Sequence, residues 1–337
     1  MKRPAKLYYR GLINLTGALL LATPFAACPN TNYAPRTRSV EQSPSPPLEI
    51  FKSPSTLALR KICFTRGEFI FLRELPSGKE TKLLRGQSPR ISPDGTKVLF
   101  MAGQFDVTKD PWGDSIRTKL LDLTVMKVRE LTLPAELQAN NAIWSYDGNR
   151  IAFETAHSGP GTAFGVFKPA TSEWKIITRS TDLASSQEEG PFGLSSWAPG
   201  DNSLLIHSLE SLYEVSLDGK VILKTAISEL GIDSETRFSF SADRRYLLFD
   251  STIDTKEHLV NDAVQMLDVS TKQLITITPD TVEARTPIWC PTEKAIIFEC
   301  MKRFDHRHQS GICTIGVDGK DLSVLVDNAR QVSYSVQ

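Results

Sequence analysis

The 337-residue chain has no excess of either charge, since 39 Lys and Arg balance 39 Asp and Glu. It therefore lacks the basic field that gathers nucleic acid, and no nucleic-acid partner is expected. Cysteine is scarce at five residues, and no paired Cys motif of the zinc kind is present. No glycine loop is built to cradle phosphate. Gly193-Leu194-Ser195-Ser196-Trp197 lacks the second glycine of an esterase elbow and the strand–turn–helix setting that elbow needs. Helical periodicity is nearly missing after residue 57, which excludes a helix bundle. These absences imply no catalytic residue, no cofactor and no metal.

One apolar run stands near the start. Lys2, Arg3, Lys6 and Arg10 precede it, and Gly11 to Ala27 is too short for a comfortable membrane span. It ends in Phe25-Ala26-Ala27-Cys28, which resembles a bacterial lipobox. Residues 1–27 read as a signal peptide and Cys28 as the lipidated first mature residue. Residues 28–56, with Pro29, Pro35, Pro44, Pro46 and Pro47 among Ser, Thr and Asn, cannot bury a core and read as a tether. An acyl chain plus spacer would hold the rest of the protein at a membrane. The resemblance to bacterial lipoproteins implies, with Pro29 rather than Asp after Cys28, the outer membrane of a two-membrane bacterium. The expected location is lipid-anchored, facing the periplasm or the exterior.

What fills the remainder is a repeat. Ser92-Pro93-Asp94-Gly95 leads to a strand closing at Phe100, and eroded copies start at Ser145, Ala198, Ser241 and Cys290, in steps of 53, 53, 43 and 49. Before each start stands a bulky residue: Ile91, Trp144, Trp197, Phe240 or Trp289. After each, a β-branched and Leu-rich run closes on Phe100, Phe153, Ile206, Phe249 or Phe298. An alternating third strand and a short fourth follow, joined by turns such as Asp218-Gly219-Lys220. Such a period built of strands predicts an all-β propeller of four-stranded blades. Five copies leave a sixth in two pieces: Val332 to Ser335 matches a first strand, and Lys61 to Leu84 the other three. A six-bladed β-propeller over residues 57–337 is expected, closed by pairing the C-terminal strand with the N-terminal blade.

The Ser-Pro-Asp-Gly phrases resemble the WD40-like repeats of TolB-like six-bladed propellers, over roughly residues 57–337. About 28 residues separate Cys28 from the first strand, so the α/β domain that precedes the propeller in TolB proper is not expected. Related repeats serve scaffolds, peptidases and lyases, so the resemblance implies fold rather than activity.

Repeated aromatics and turn aspartates read as structural, because their need is shared by every blade. Unrepeated features point to function. Long segments between second and third strands, at 103–114, 154–162, 252–262 and 301–310, share one face with the blade-to-blade connections. That candidate binding face carries Asp106, Lys109, Asp110, Trp112, Asp254, Lys256, Glu257, His258, Arg303, Asp305, His306, Arg307 and His308. Asp305-His306-Arg307-His308 resembles a ligand cluster, but Arg303 and Arg307 repel a cation and no metal is assigned. Cys300 and Cys313 lie in hairpin partners and are candidates for a disulfide, while Cys63 and Cys290 read as buried thiols. Three functions follow. The leading one is a monomeric, membrane-tethered, non-catalytic propeller that binds an envelope protein or a peptidoglycan-associated cell-wall component. An alternative is a propeller enzyme such as a polysaccharide lyase or lactone hydrolase, with His157, His207, His258, His306 or His308 as bases. Another is small-ligand binding in the axial channel near Gln138, Asn140, Ser195 and Arg285.

Overall fold

The computed structural model describes residues 60–337 apart from Pro76, 104–115, Thr132, 135–136, 156–160, 185–189, 233–236, 255–259, Pro291, Glu293, 305–306 and 336–337. The described residues form six four-stranded antiparallel sheets. The first blade holds β1 (Lys61–Arg66), β2 (Phe69–Glu74) and β3 (Glu80–Arg85). The second holds β4 (Gln87–Ile91), β5 (Lys97–Ala102), β6 (Arg117–Asp122) and β7 (Lys127–Glu130). The third holds β8 (Ala139–Trp144), β9 (Ile151–Thr155), β10 (Ala163–Lys168) and β11 (Glu173–Arg179). The fourth holds β12 (Gly193–Trp197), β13 (Ser203–His207), β14 (Ser211–Ser216) and β15 (Val221–Ala226). The fifth holds β16 (Ser239–Phe240), β17 (Tyr246–Asp254), β18 (Val260–Asp268) and β19 (Gln273–Thr276). The sixth holds β20 (Val282–Trp289), β21 (Ala295–Phe304), β22 (Arg307–Gly316) and β23 (Ser323–Asp327). The first blade takes its innermost strand, β24 (Arg330–Ser335), from the other end of the chain. Ile62 lies opposite Tyr334 and Cys63 opposite Ser333, so the ring closes as the sequence pattern predicts.

Apolar residues on both faces of a blade's inner strands leave it unable to stand alone. β13 is buried throughout, whereas the outermost β7 is exposed throughout. The core is accordingly a ring of clusters, one at each junction between blades. Leu99 and Leu120 of the second blade meet Ile151 and Phe153 of the third. Ile62 and Phe64 of the first meet Ile297 and Ile312 of the sixth. Burying each such side chain is worth about 1.5–3 kcal/mol, and most of that is lost if neighbouring blades part.

The repeated phrase has a definite job. The Ser92 hydroxyl donates to Asp94 at 2.5 Å and accepts the Lys97 N–H at 2.9 Å, which ties the turn to the next strand. Ser145 with Asp147 and Arg150, and Ser241 with Asp243 and Tyr246, do the same. Burial pushes the Asp94 and Asp147 carboxyls up, but the bonds they accept outweigh it and hold both below the ordinary carboxylate range. Where the fourth blade has Ala198 instead of Ser, its Asp201 reaches the third blade and accepts from the Tyr146 and Asp147 N–H groups, each at 2.9 Å.

The repeated aromatics are staples between blades. Trp144 Nε1 donates to the Arg90 carbonyl at 2.9 Å, and Trp197 Nε1 to the Ile143 carbonyl at 3.3 Å. Trp289 Nε1 donates to the Ser239 carbonyl at 3.3 Å, and the Tyr334 hydroxyl to the Trp289 carbonyl at 2.5 Å. In each case the inner strand of one blade bonds the inner strand of the blade before it. Ile91 and Phe240 hold the same place without a side-chain donor, and other bonds cross those junctions: the Ile91 N–H donates to Ser333 Oγ at 3.0 Å, and the Ser196 hydroxyl to the Phe238 carbonyl at 2.8 Å.

Candidate functional site

β12 begins where β13 ends, with Gly193 opposite His207. The starts of the inner strands and the hairpins joining second to third strands therefore share one face of the ring. Among the described residues, two of those hairpins project. The β17–β18 ladder runs from Tyr246–Asp268 to Asp254–Val260, and the β21–β22 ladder from Ala295–Gly316 to Phe304–Arg307. In the fourth blade the matching ladder stops at His207–Leu212. The segments at 252–262 and 301–310, read from sequence as loops, are thus largely strand. Antiparallel pairing satisfies their backbone groups, which a long irregular loop would leave to water.

Of the sequence-predicted face, Asp254 pairs with Val260 near one hairpin tip, Arg303 pairs with His308, and Arg307 with Phe304 at the other. Asp106, Lys109, Asp110, Trp112, Lys256, Glu257, His258, Asp305 and His306 lie outside the described residues, as do His157 and Cys28. Cys300 and Cys313 form a disulfide with a Cα–Cα separation of 5.8 Å, at the base of the projecting β21–β22 hairpin. Cys63 and Cys290 are buried and unbridged. Burial pushes the Cys290 thiol up to about 12, so it holds no thiolate at neutral pH.

The mouth of the axial channel is built from bulges. Ladder register slips between Gln87 and Arg90, Ala139 and Asn141, Leu194 and Ser196, and Arg285 and Ile288, and again where β24 meets β1 between Cys63 and Thr65. A bulge leaves a residue out of the ladder and re-aims its side chain. Ser88, Thr286 and Gln331 sit there at φ of 49°, 50° and 55°. That conformation is costly for a β-branched threonine and needs support from outside the strand.

Support comes from one position in the repeat, the residue after each second strand's closing Phe or Ile: Thr65, Met101, Glu154, His207, Asp250 and Glu299. The Glu299 carboxylate accepts the Thr286 hydroxyl and the Gln331 N–H, each at 2.9 Å. The Gln331 side-chain carbonyl accepts the Ser88 N–H at 2.7 Å and the Thr65 hydroxyl at 3.2 Å. Glu154 accepts the Leu194 N–H at 2.5 Å, and Ser195 Oγ lies 2.8 Å from His207 Nδ1. A Cβ on Gly193 would stand 2.6 Å from the His207 ring, so that ring occupies room only glycine leaves. Taken alone, Ser195 and His207 have nucleophile-and-base geometry. Because Thr286–Glu299 and Gln331–Thr65 repeat the arrangement in other blades, the pair reads as one of a set of bulge locks.

The second blade departs from the set. Met101 holds the locking position, the Ser88 hydroxyl has no partner among the described residues, and a recess opens beside them, walled by Thr118 and Asn141. Two residues on, half-buried Arg90 donates to the Pro89 and Val332 carbonyls at 3.4 and 3.5 Å and to no carboxylate among the described residues. Burial pushes Arg90 down to about 10, and the charge of Arg237 adds to the effect against the pull of Glu299. Arg237, exposed at the entry to β16, belongs to the blade facing the second across the ring. Burial raises the Glu154 carboxyl against the Leu194 N–H, Arg237 and His207.

Of the predicted channel residues, Ser195 joins a lock and Asn140 keeps a buried Oδ1 without a partner among the described residues. Arg285 is instead held by Asp262 at 2.6 Å and Glu283 at 2.9 Å, the first an ion pair between blades. Gln138 is half-buried just before β8. Sequence reasoning missed Arg90, Arg237, Glu154 and Glu299. The last three would have stood out had the repeats been compared at the positions flanking the strand-closing Phe and the inner-strand start.

The chain matches no protein-family model and no curated protein. Solved structures do match. TolB from Acinetobacter baumannii aligns with a TM-score of 0.57 at 16% identity, over 82% of this chain and 66% of that one. The fold is that of the TolB propellers. A TolB-assigned protein from Agrobacterium tumefaciens aligns at 0.55 and 16% identity, over 80% of this chain and 89% of that one. This chain spans just under two thirds of the Acinetobacter protein, and at such identity the likeness to TolB establishes architecture alone.

Proposed function

We propose that this protein is an exported, lipid-anchored TolB-like propeller that binds an envelope protein or a cell-wall component, without catalysis, through the face bearing the channel mouth. The observation that carries the reading is the asymmetry of the ring. Paired hairpins of the fifth and sixth blades stand above one face, one of them stapled by Cys300–Cys313, and the same face carries Arg90 and Arg237, which pair with no carboxylate among the described residues. Stiff, preordered strands lower the entropy cost of binding relative to free loops. A disulfide fits an oxidising compartment outside the cytoplasm, as do the basic start, apolar run and Cys28 of the N-terminal segment. The recurrence of the bulge locks favours a structural role for Ser195 and His207, which supports binding over hydrolysis.

Crosslinking of the full chain in its own cells tests this. The protein should fractionate with membranes and yield a discrete crosslinked partner, and Cys28→Ser should move it to the soluble fraction with loss of that adduct. A Cys28→Ser protein that stays in the membrane, or a wild type that yields no adduct, contradicts the reading.

A further inference from the structure

The turns between third and fourth strands share a backbone signature. Each ends in a residue of left-handed conformation: Gly78, Met126, Ser172, Gly219, Lys272 and Gly319. Glycine or a polar residue suits such a position, where a large side chain adds strain and faces water. The residue before it is Ser77, Thr171, Asp218, Thr271 or Asp318, and in the second blade alone Val125. Val125 and Met126 are 67% and 57% exposed, so the ring does not bury them. The turn is set without their side chains, since Asp122 accepts the Thr124 N–H at 2.9 Å and its hydroxyl at 2.6 Å. An apolar pair that departs from the repeat, at a cost, points to a surface outside the ring.

This turn stands beside the place where the chain enters the ring. At the foot of β1 the Arg60 N–H donates to the Ser335 carbonyl at 3.1 Å, and the Arg60 carbonyl accepts the Leu75 N–H at 2.8 Å. Next to it Lys61 Nζ reaches the Gly95 carbonyl of the second blade at 2.9 Å. The adjoining Thr96 carbonyl accepts the Leu123 N–H at 2.8 Å, at the base of the Val125 turn. On the other side a Cβ on Gly148 would stand 3.5 Å from Pro93, which brings up the turn of Tyr146, 55% exposed. All of these turns belong to the face opposite the channel mouth. Arg60 and Lys127 are exposed there and pair with no carboxylate among the described residues.

Resting on the lipid-anchored reading above, we propose that this face docks on the phospholipid surface that holds the anchor, with Val125 and Met126 seated at the headgroup–acyl boundary. The residues between Cys28 and Arg60 can span about 100 Å when extended, so a tether alone leaves the ring free to turn. Two apolar side chains hold a bilayer only weakly by themselves. Once the anchor confines the protein, the same contact has a high effective concentration and sets orientation. Tyr146 suits headgroup level, and unpaired Arg60 and Lys127 suit anionic lipid. The mouth and its hairpins then point away from the membrane.

Nitroxide accessibility tests this, with the label on Met126→Cys in the full-length lipidated protein on vesicles of phosphatidylethanolamine and phosphatidylglycerol. Cys63 and Cys290 are buried and Cys300–Cys313 is bridged, so the new thiol is the one that labels among the described residues. Oxygen enters the bilayer and a polar nickel chelate does not. The oxygen-to-chelate ratio should be severalfold higher at 126 than for the same label on Thr252→Cys, on the mouth face. Val125→Asp should bring the two ratios together while the protein still floats with the vesicles, and Val125→Ile should keep them apart. Val125 is exposed, so neither change threatens the core. A label at 126 no better shielded than that at 252, on protein that floats, overturns the docking face and leaves the anchored binder standing. Protein that does not float overturns both. Spin–spin broadening at 126 that vanishes on dilution with unlabelled protein assigns the tip to a second copy and likewise overturns the lipid contact.

Discussion

Deletion of residues 331–337 should unfold the protein or lower its melting temperature by more than about 10 °C, since about 1 kcal/mol is worth some 2–4 °C in a domain of this size. The segment carries nearly all of β24, the inner strand of the first blade. Val332 is buried against Ile62 and Phe64, and its burial is worth about 1.5–3 kcal/mol. Ser333 Oγ accepts the Ile91 N–H at 3.0 Å, and the Tyr334 hydroxyl reaches Trp289, so the strand binds the blades on both sides. Without it the edge of β1 is open and Phe64 meets water, an invitation to edge-to-edge association. A domain has only about 5–15 kcal/mol in hand. Calorimetry and light scattering of the truncated chain check the outcome. A truncated protein that melts like its parent would mean that β1 has another partner.

Glu299→Leu should cost about 1–3 kcal/mol, because the half-buried Thr286 hydroxyl and Gln331 N–H each lose a bond worth about 0.5–1.5 kcal/mol. Those donors sit at two of the left-handed bulge residues, so the loss also removes what pins their backbone. Glu299→Gln keeps an acceptor oxygen and should recover most of the stability in denaturant melts. Equal damage from both changes would assign the role of Glu299 to its charge rather than to the bonds it accepts.

The two expectations rest on features of different legibility. The ring and its closure were written in the repeat, because a turn tied by Ser92 and Asp94 and a strand ending at Phe100 leave short-range marks that recur at a fixed period. The aromatic staples could be ranked as structural for the same reason, although their bonding to the preceding blade shows only in three dimensions. The hairpin extensions at 252–262 and 301–310 were hidden. Their length depends on pairing between segments whose polar residues also suit loops, and propensity alone does not separate the two. The locks were hidden further still, since Glu299 and Gln331 are distant in sequence from Thr65 and Ser88 and meet only when the ring closes. Arg90 carries no motif. Its meaning comes from what surrounds it after folding.

Site-resolved photocrosslinking in living cells is the measurement that bears most directly on the central claim, that one face of a closed TolB-like ring is the binding surface. Photoreactive residues at Thr252 and Arg237 stand on the face of the channel mouth, and those at Tyr146 and Lys220 stand in turns on the opposite face. Adducts to a common partner at the first two positions, and none at the second two, are the result predicted. Adducts confined to Tyr146 and Lys220 would contradict the account.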